Sequence, residues 1–300
     1  MLKEIFLMSP PRADWHLRGR ANFRSRQAVA VDPLLARRQW LTLARCIEAR
    51  GGVVVAAESP SAELTGMPYA AECGQIVGDE VRGWSLILPS MWAPHRRGER
   101  DVWGSLAREM KLAVKAPAAG IWEAQGDVAV FQGVTLLFYG GRTTREGLSS
   151  VRDYFDGEVM LVETREPAFH GNMALLPLEA AGTLVVCPAV LQGDSFERLQ
   201  LRFGRDVLLE VSEADIREYV TNGLPMAREL LAPTVTSPEA LAPLTARGVE
   251  LVRVDLSELC DKAGGASRCL VSRAFIDLAR HPVPDYACLD EVAARIEADQ

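Results

Sequence analysis

Short apolar runs bounded by turn residues outnumber amphipathic helical patterns along this chain, and that ratio restricts the fold most. About ten runs of strand length and about six helical patterns alternate over 300 residues, so two or three strands fall between successive helices. A doubly wound parallel sheet carries one strand per helix. The order here suggests instead a unit of strand, strand, helix and strand. The unit would recur within one α/β domain over 1–300, since no linker or shift in composition divides the chain.

Local signals place the elements. Residues 4–9, 52–58, 83–90, 158–165 and 249–259 read as strands. Residues 31–52 read as a helix, with Asp32 as N-cap, Pro33 in the first turn and Gly51 or Gly52 past its end. Further helices are expected over 99–115, 144–155, 236–248 and 289–300. Residues 126–141 read as a hairpin turning at Gln132 and Gly133, and 173–188 as another. Residues 198–212 look strand-rich. Ser212 and Asp215 resemble a capping box ahead of a long helix over 213–232, kinked at Pro225.

A net charge of −7 and a pI near 5.3 count against nucleic-acid binding. No apolar run reaches the ~18 residues that span a bilayer. The first apolar stretch is short and ends at Pro10–Pro11, unlike a signal peptide, so a cytoplasmic location without membrane association is expected. The six cysteines are Cys46, Cys73, Cys187, Cys260, Cys269 and Cys288. They form no CxxC and no paired Cys/His spacing, so neither a metal nor a cofactor is expected. In a reducing compartment they remain thiols, and for any one of them burial as a small apolar side chain is the ordinary role.

Several polar residues stand in unusual places. Cys269 follows Gly264–Gly265 and a run of small residues. His170 lies in a Gly/Asn turn ahead of an apolar strand. Glu72 sits among small apolar residues, Glu123 and Asp127 at the mouth of the first hairpin, and Arg142 just after a strand. Each has a plain structural reading: turn amides for the carboxylates, a turn contact for the histidine, a surface ion pair for the arginine. His281 reads as the cap of a helix C-terminus. Together the set supplies thiol, imidazole and carboxylates, the parts of a covalent site. Phosphate-loop, dinucleotide, GxSxG and HExxH motifs do not occur.

The segments LMSPP, ELTGMPYAAECGQIV, APHRRGE, WEAQGDV, GRTTREG, FHGNMALLPL and DLSELCDKAGGASRCL occur in an order that resembles one superfamily. It is the cysteine-dependent guanidino-group-modifying superfamily: arginine deiminases, dimethylarginine hydrolases, arginine and succinylarginine dihydrolases, and amidinotransferases. The resemblance spans most of the chain. It implies a five-bladed, pseudo-symmetric α/β propeller (pentein-like) of strand–strand–helix–strand units around a central channel. It implies Cys269 as nucleophile, His170 as acid and base, and Glu123 as the catalytic carboxylate. Glu72, Asn172, Arg97, Arg142 and Asp127 become substrate contacts, with the two arginines gripping a carboxylate. Three positions depart from the family pattern. Asn172 stands where deiminases carry Asp, Gly66 replaces the Asp of a Pro-Asp loop, and Glu72 is one methylene longer than the usual Asp. These departures point away from plain free arginine.

The implied activity is hydrolysis of a guanidino compound, arginine or an arginine derivative, through a thiouronium on Cys269. Two alternatives use the same residues: transfer of the amidino group to an acceptor amine, or a catalytically silent guanidine-binding protein. The implied partner is a small guanidino molecule, with a homodimer left open.

Overall fold

A computed structural model of the protein describes residues 1–19, 22–28 and 30–298. Strand β1 (Leu2–Met8) runs parallel to β2 (Val53–Ala56), with the helix Pro33–Glu48 crossing between them. Strands β3 (Gln75–Asp79) and β4 (Gly83–Ile87) pair antiparallel, and β4 is parallel to β5 (Ala113–Lys115) after the helix Glu99–Glu109. The same order recurs in β6 (Val128–Phe131), β7 (Val134–Tyr139), the helix Arg145–Val151 and β8 (Glu158–Glu163). It recurs again in β9 (Leu175–Leu178), β10 (Thr183–Val186), the helix Ser195–Phe203 and β11 (Leu208–Glu210). A further copy is β12 (Leu224–Met226), β13 (Glu229–Pro233), the helix Pro238–Thr245 and β14 (Glu250–Val254). Finally β15 (Ser272–Asp277) pairs antiparallel with β1, from Leu2 opposite Asp277 to Leu7 opposite Ser272. The result is five three-stranded sheets with one shared pattern, and the first sheet draws its outer strand from the far end of the chain.

Local chemistry accounts for many of these boundaries. Asp32 accepts a hydrogen bond from the Leu35 amide at 2.9 Å, which caps the first helix, and Pro33 lacks the amide that would be left over there. Gln132 and Gly133 both take positive φ (47° and 74°), the backbone a two-residue hairpin needs to match strand twist. The crossover helices press apolar faces onto the sheets, Trp40, Leu43 and Ile47 in the first and Trp103 and Leu106 in the second, and all five side chains are buried.

Several expectations are corrected. Residues 99–115 hold a helix and then β5, because Lys111 turns the chain at φ 58°. The apolar alternation at 198–212 is in its first half the face of the helix Ser195–Phe203, with Leu199 and Phe203 four apart and buried. The capping box at Ser212 and Asp215 is present, but its helix ends at Arg217, with Tyr219 at φ 68°. Beyond it lies a hairpin turning at Ala227 (φ 52°), and Pro225 is a strand residue in β12 rather than a helix kink. Residues 249–259 hold β14 and then the start of the helix Ser257–Ala263. Fifteen strands are present among the described residues, five more than the pattern suggested. The C-terminal helix is Leu289–Ala298; residues 299–300 of that expectation lie outside the described residues. His281 does cap a helix C-terminus, one distant in sequence: its Nδ1 lies 3.0 Å from the carbonyl of Met110, the C-cap of the helix Glu99–Glu109, and its ring meets Trp84 edge-on. Among the described residues no helix is long and apolar enough to cross a membrane.

Candidate active site

Each of the five sheets is preceded by a short segment that carries one or two polar side chains. Glu72 lies three residues ahead of β3, Glu123 and Asp127 ahead of β6, and His170 and Asn172 ahead of β9. Asn222 lies ahead of β12 and Cys269 ahead of β15. Equivalent positions in the five repeats therefore converge on one place. Hydrogen bonds between these segments fix their spacing. The Cys269 carbonyl accepts from the Ala71 amide at 3.0 Å, which ties the sulfur's segment to that of Glu72. Asn222 accepts the Ala266 amide on Oδ1 at 2.9 Å and the Arg268 amide on its carbonyl at 3.0 Å, and donates Nδ2 to the Asn172 carbonyl at 3.1 Å. Gln125 accepts from the Arg273 amide at 2.6 Å and donates to the Arg273 carbonyl at 2.8 Å, joining the Glu123 segment to β15.

At the centre, His170 is fully buried between two carboxylates. Its Nε2 lies 2.7 Å from Glu123 Oε2, in hydrogen-bond geometry. Its Nδ1 lies 3.2 Å from Glu72 Oε1, close but without such geometry. Glu123 also accepts from the Trp92 amide on Oε1 at 2.8 Å, and Arg142 Nη1 stands 3.5 Å from Oε2. Burial pushes the Glu123 carboxyl up, but the His170 hydrogen bond and the charges of Arg142, His170 and Arg96 outweigh it and hold it down at about 2. Asp127 accepts from the Gly171 amide at 2.8 Å and from Thr143 Oγ1 at 2.6 Å, so it braces the turn that presents His170. Burial dominates there and raises its carboxyl to about 6.

Glu72 is held from the other side by Arg96, whose Nη1 donates to Oε2. Arg96 is clamped in turn by Glu99, with Nε at 3.0 Å from both carboxylate oxygens and Nη2 at 2.7 Å from Oε2, and it donates Nη2 to the Gly66 carbonyl at 2.9 Å. Gly66 is what makes room: a Cβ there would lie 1.9 Å from Arg96 Nε. Cys269 is 1% exposed, and its sulfur meets Asn172, with Nδ2 at 3.5 Å and Oδ1 at 3.7 Å. Burial raises the Cys269 thiol, while contacts from Asn222 and Asn172 and the charge of Arg268 pull it back. Cys269, Glu72, Arg96, Arg142, Tyr69 and Gly66 line a single cavity, which Trp15 and His95 help to wall.

The expected residues therefore divide. Cys269, His170, Glu123, Glu72, Asn172 and Arg142 are brought together. Asp127 sits behind them, engaged with the Gly171 amide and the Thr143 hydroxyl, and is not among the residues that line the cavity. Arg97 is exposed, and its nearest partner is the Met91 carbonyl at 3.5 Å from Nε; the neighbouring Arg96 occupies the site instead. Glu99, Asn222 and Arg96 were not singled out by sequence. A signal for Asn222 existed, since Asn222–Gly223–Leu224 precedes an apolar strand much as Asn172 does. Glu72, Glu123 and His170 also offer ligand atoms within 4.8 Å of one another, a spacing able to hold a cation. Arg96 and Arg142 already set positive charge against those two carboxylates.

No family model matches the chain. It is 27% identical over 279 residues to an uncharacterised protein of Caenorhabditis elegans, covering 91% of this chain and 94% of that one. It is 26% identical over 239 residues to the N(G),N(G)-dimethylarginine dimethylaminohydrolase of Mycobacterium tuberculosis, covering 80% and 76%. Its structure superposes with a TM-score of 0.80 on the product-bound N-terminal domain of ArgZ, an arginine dihydrolase of the ornithine–ammonia cycle in cyanobacteria. That match is at 22% identity and covers 90% of this chain and 97% of the other. The chain therefore shares the fold of these guanidino-group hydrolase domains.

Proposed function

We propose that the chain is a cysteine-dependent hydrolase of a guanidino compound, a single catalytic domain whose five units form the blades of a pseudo-fivefold propeller around the site. The observation that carries this reading is one cavity lined by Cys269 and Glu72 and backed by the His170–Glu123 pair. The kinship with dimethylarginine and arginine hydrolases supports it.

A guanidinium is planar, cationic and resonance-stabilised, hence a poor electrophile. Glu72 accepts charge-assisted hydrogen bonds from it and sets its central carbon beside the sulfur. Burial raises the Cys269 thiol and so favours its protonated form. A bound cation next to the sulfur favours the thiolate, so substrate helps to activate its own nucleophile. Sγ gives up its proton to the His170 imidazole and adds to the central carbon, and the C=N electron pair moves onto nitrogen. His170, oriented by Glu123, protonates the leaving nitrogen; the C–N bond breaks, an amine departs and a thiouronium remains on Cys269. The neutral imidazole takes a proton from water as its oxygen adds to the same carbon. The C–S bond breaks, the thiolate returns, and a urea or ureido product leaves.

The test is intact-protein mass spectrometry and product analysis with a panel of guanidino compounds. An adduct on Cys269 with release of amine and a ureido product is expected. Neither adduct nor turnover with any guanidine would overturn the reading, and an amidino group delivered to an added amine would convert it to a transferase.

A further inference from the structure

The cavity wall around Cys269 carries several basic side chains, His16, Arg18, His95, Arg96 and Arg142, against a single acidic one. Glu72 is the only carboxylate among its described lining residues, and Arg96 and His170 flank it. Three of its neutral acceptors are engaged. Asn22 Oδ1 accepts from the Arg24 amide at 3.0 Å and the Ser25 amide at 2.8 Å. The Thr65 carbonyl accepts Trp15 Nε1 at 2.8 Å, and the Gly66 carbonyl accepts Arg96.

Arg142 is the opposite case. It lies along the cavity with its guanidinium 4.8 Å from the centre of the Phe169 ring. Its only ion pair among the described residues is the 3.5 Å approach to Glu123, and its side chain makes no hydrogen bond there. Arg18 and His95 line the same cavity, Arg18 paired with Glu63, and the charges of Arg18 and Arg142 both reach His95. An α-ammonium entering beside the guanidinium would meet Arg142 with no carboxylate left to receive it, at a desolvation cost that an unpaired buried charge cannot recover. A carboxylate in that place would take paired hydrogen bonds from Arg142.

We infer that the substrate is a guanidino carboxylate without a charged α-amino group, either an ω-guanidino acid or an arginine whose α-nitrogen is acylated. Glu72 receives its guanidinium and Arg142 its carboxylate. This deepens the hydrolase reading above and rests on it. The selectivity is set by what the wall lacks as much as by what it offers.

Three guanidines of matched length separate the terms: free arginine, 5-guanidinopentanoate, which lacks the α-amino group, and agmatine, which lacks the carboxylate. The full chain is assayed for kcat/KM, with the intact protein mass recorded for Cys269 adducts. The expected order is 5-guanidinopentanoate, then arginine, then agmatine, with at least a tenfold gap at the first step on the scale of about 1.4 kcal/mol per decade. Arg142→Met should reduce the ratio of 5-guanidinopentanoate to agmatine to near one. Arginine equal to or better than 5-guanidinopentanoate overturns the inference and leaves the hydrolase reading standing. Absence of adduct and turnover with all three overturns both.

Discussion

On one side of the cavity, Glu123, His170, Glu72, Arg96 and Glu99 form an unbroken alternation of acidic and basic groups; on the other, Cys269 faces two neutral amides, Asn172 and Asn222. The first side is organised before any ligand arrives, since each carboxylate there already has its partner. The second carries the group that the proposed mechanism needs as an anion, and burial opposes that change. On the hydrolase reading proposed above, orientation would lie in the protein and activation of the sulfur in the complex with substrate.

The contrast can be broken most sharply at its two reactive members. Cys269→Ala should remove turnover and the covalent adduct, with little change in Tm because a small buried side chain replaces another. His170→Ala should lower kcat by about 10²–10⁴-fold. Normal rates in either variant, measured by product release, would end the mechanism.

Next is the charged side. Arg96→Met leaves Glu72 and Glu99 buried without their shared cation and should cost about 3–5 kcal/mol in chemical denaturation. A loss below about 1 kcal/mol would mean that this wall does not depend on its ion pairs. A smaller effect sharpens the sulfur side. In the ligand-free protein, alkylation of Cys269 should rise about tenfold per pH unit between pH 6 and 8, because the folded-state thiol titrates above its usual range and thiolate is scarce throughout that window. A rate independent of pH there would show a thiolate already formed. Smallest of all, Arg97→Ala should change stability and kcat/KM within about 0.5 kcal/mol, being an exposed neighbour of the residue that matters.

The repeating order of strands and helices was legible because apolar runs, caps and the Gln132–Gly133 turn are local signals. β15 was not: its alternating Ser272–Asp277 pattern leaves Phe275 half exposed and acquires a partner only from β1, at the other end of the chain. The hairpin β12–β13 was hidden by helix-favouring residues around Pro225, where register with β13 overrides propensity. The chemistry of Cys269, His170, Glu123 and Glu72 could be suspected from residue types and from motif order. The choice of Arg96 over Arg97 could not, because the last residue of the short helical turn Pro94–Arg96 and its C-cap point different ways, and it is Arg96 that enters the space above Gly66 to meet Glu72 and Glu99.

Cys269 lies three residues ahead of β15, the fifteenth strand in chain order and the one that completes the sheet begun by β1. As the polypeptide leaves the ribosome, the acidic residues and the imidazole emerge well before the thiol. On the proposed mechanism, the nucleophile would then arrive together with the strand that closes the first sheet.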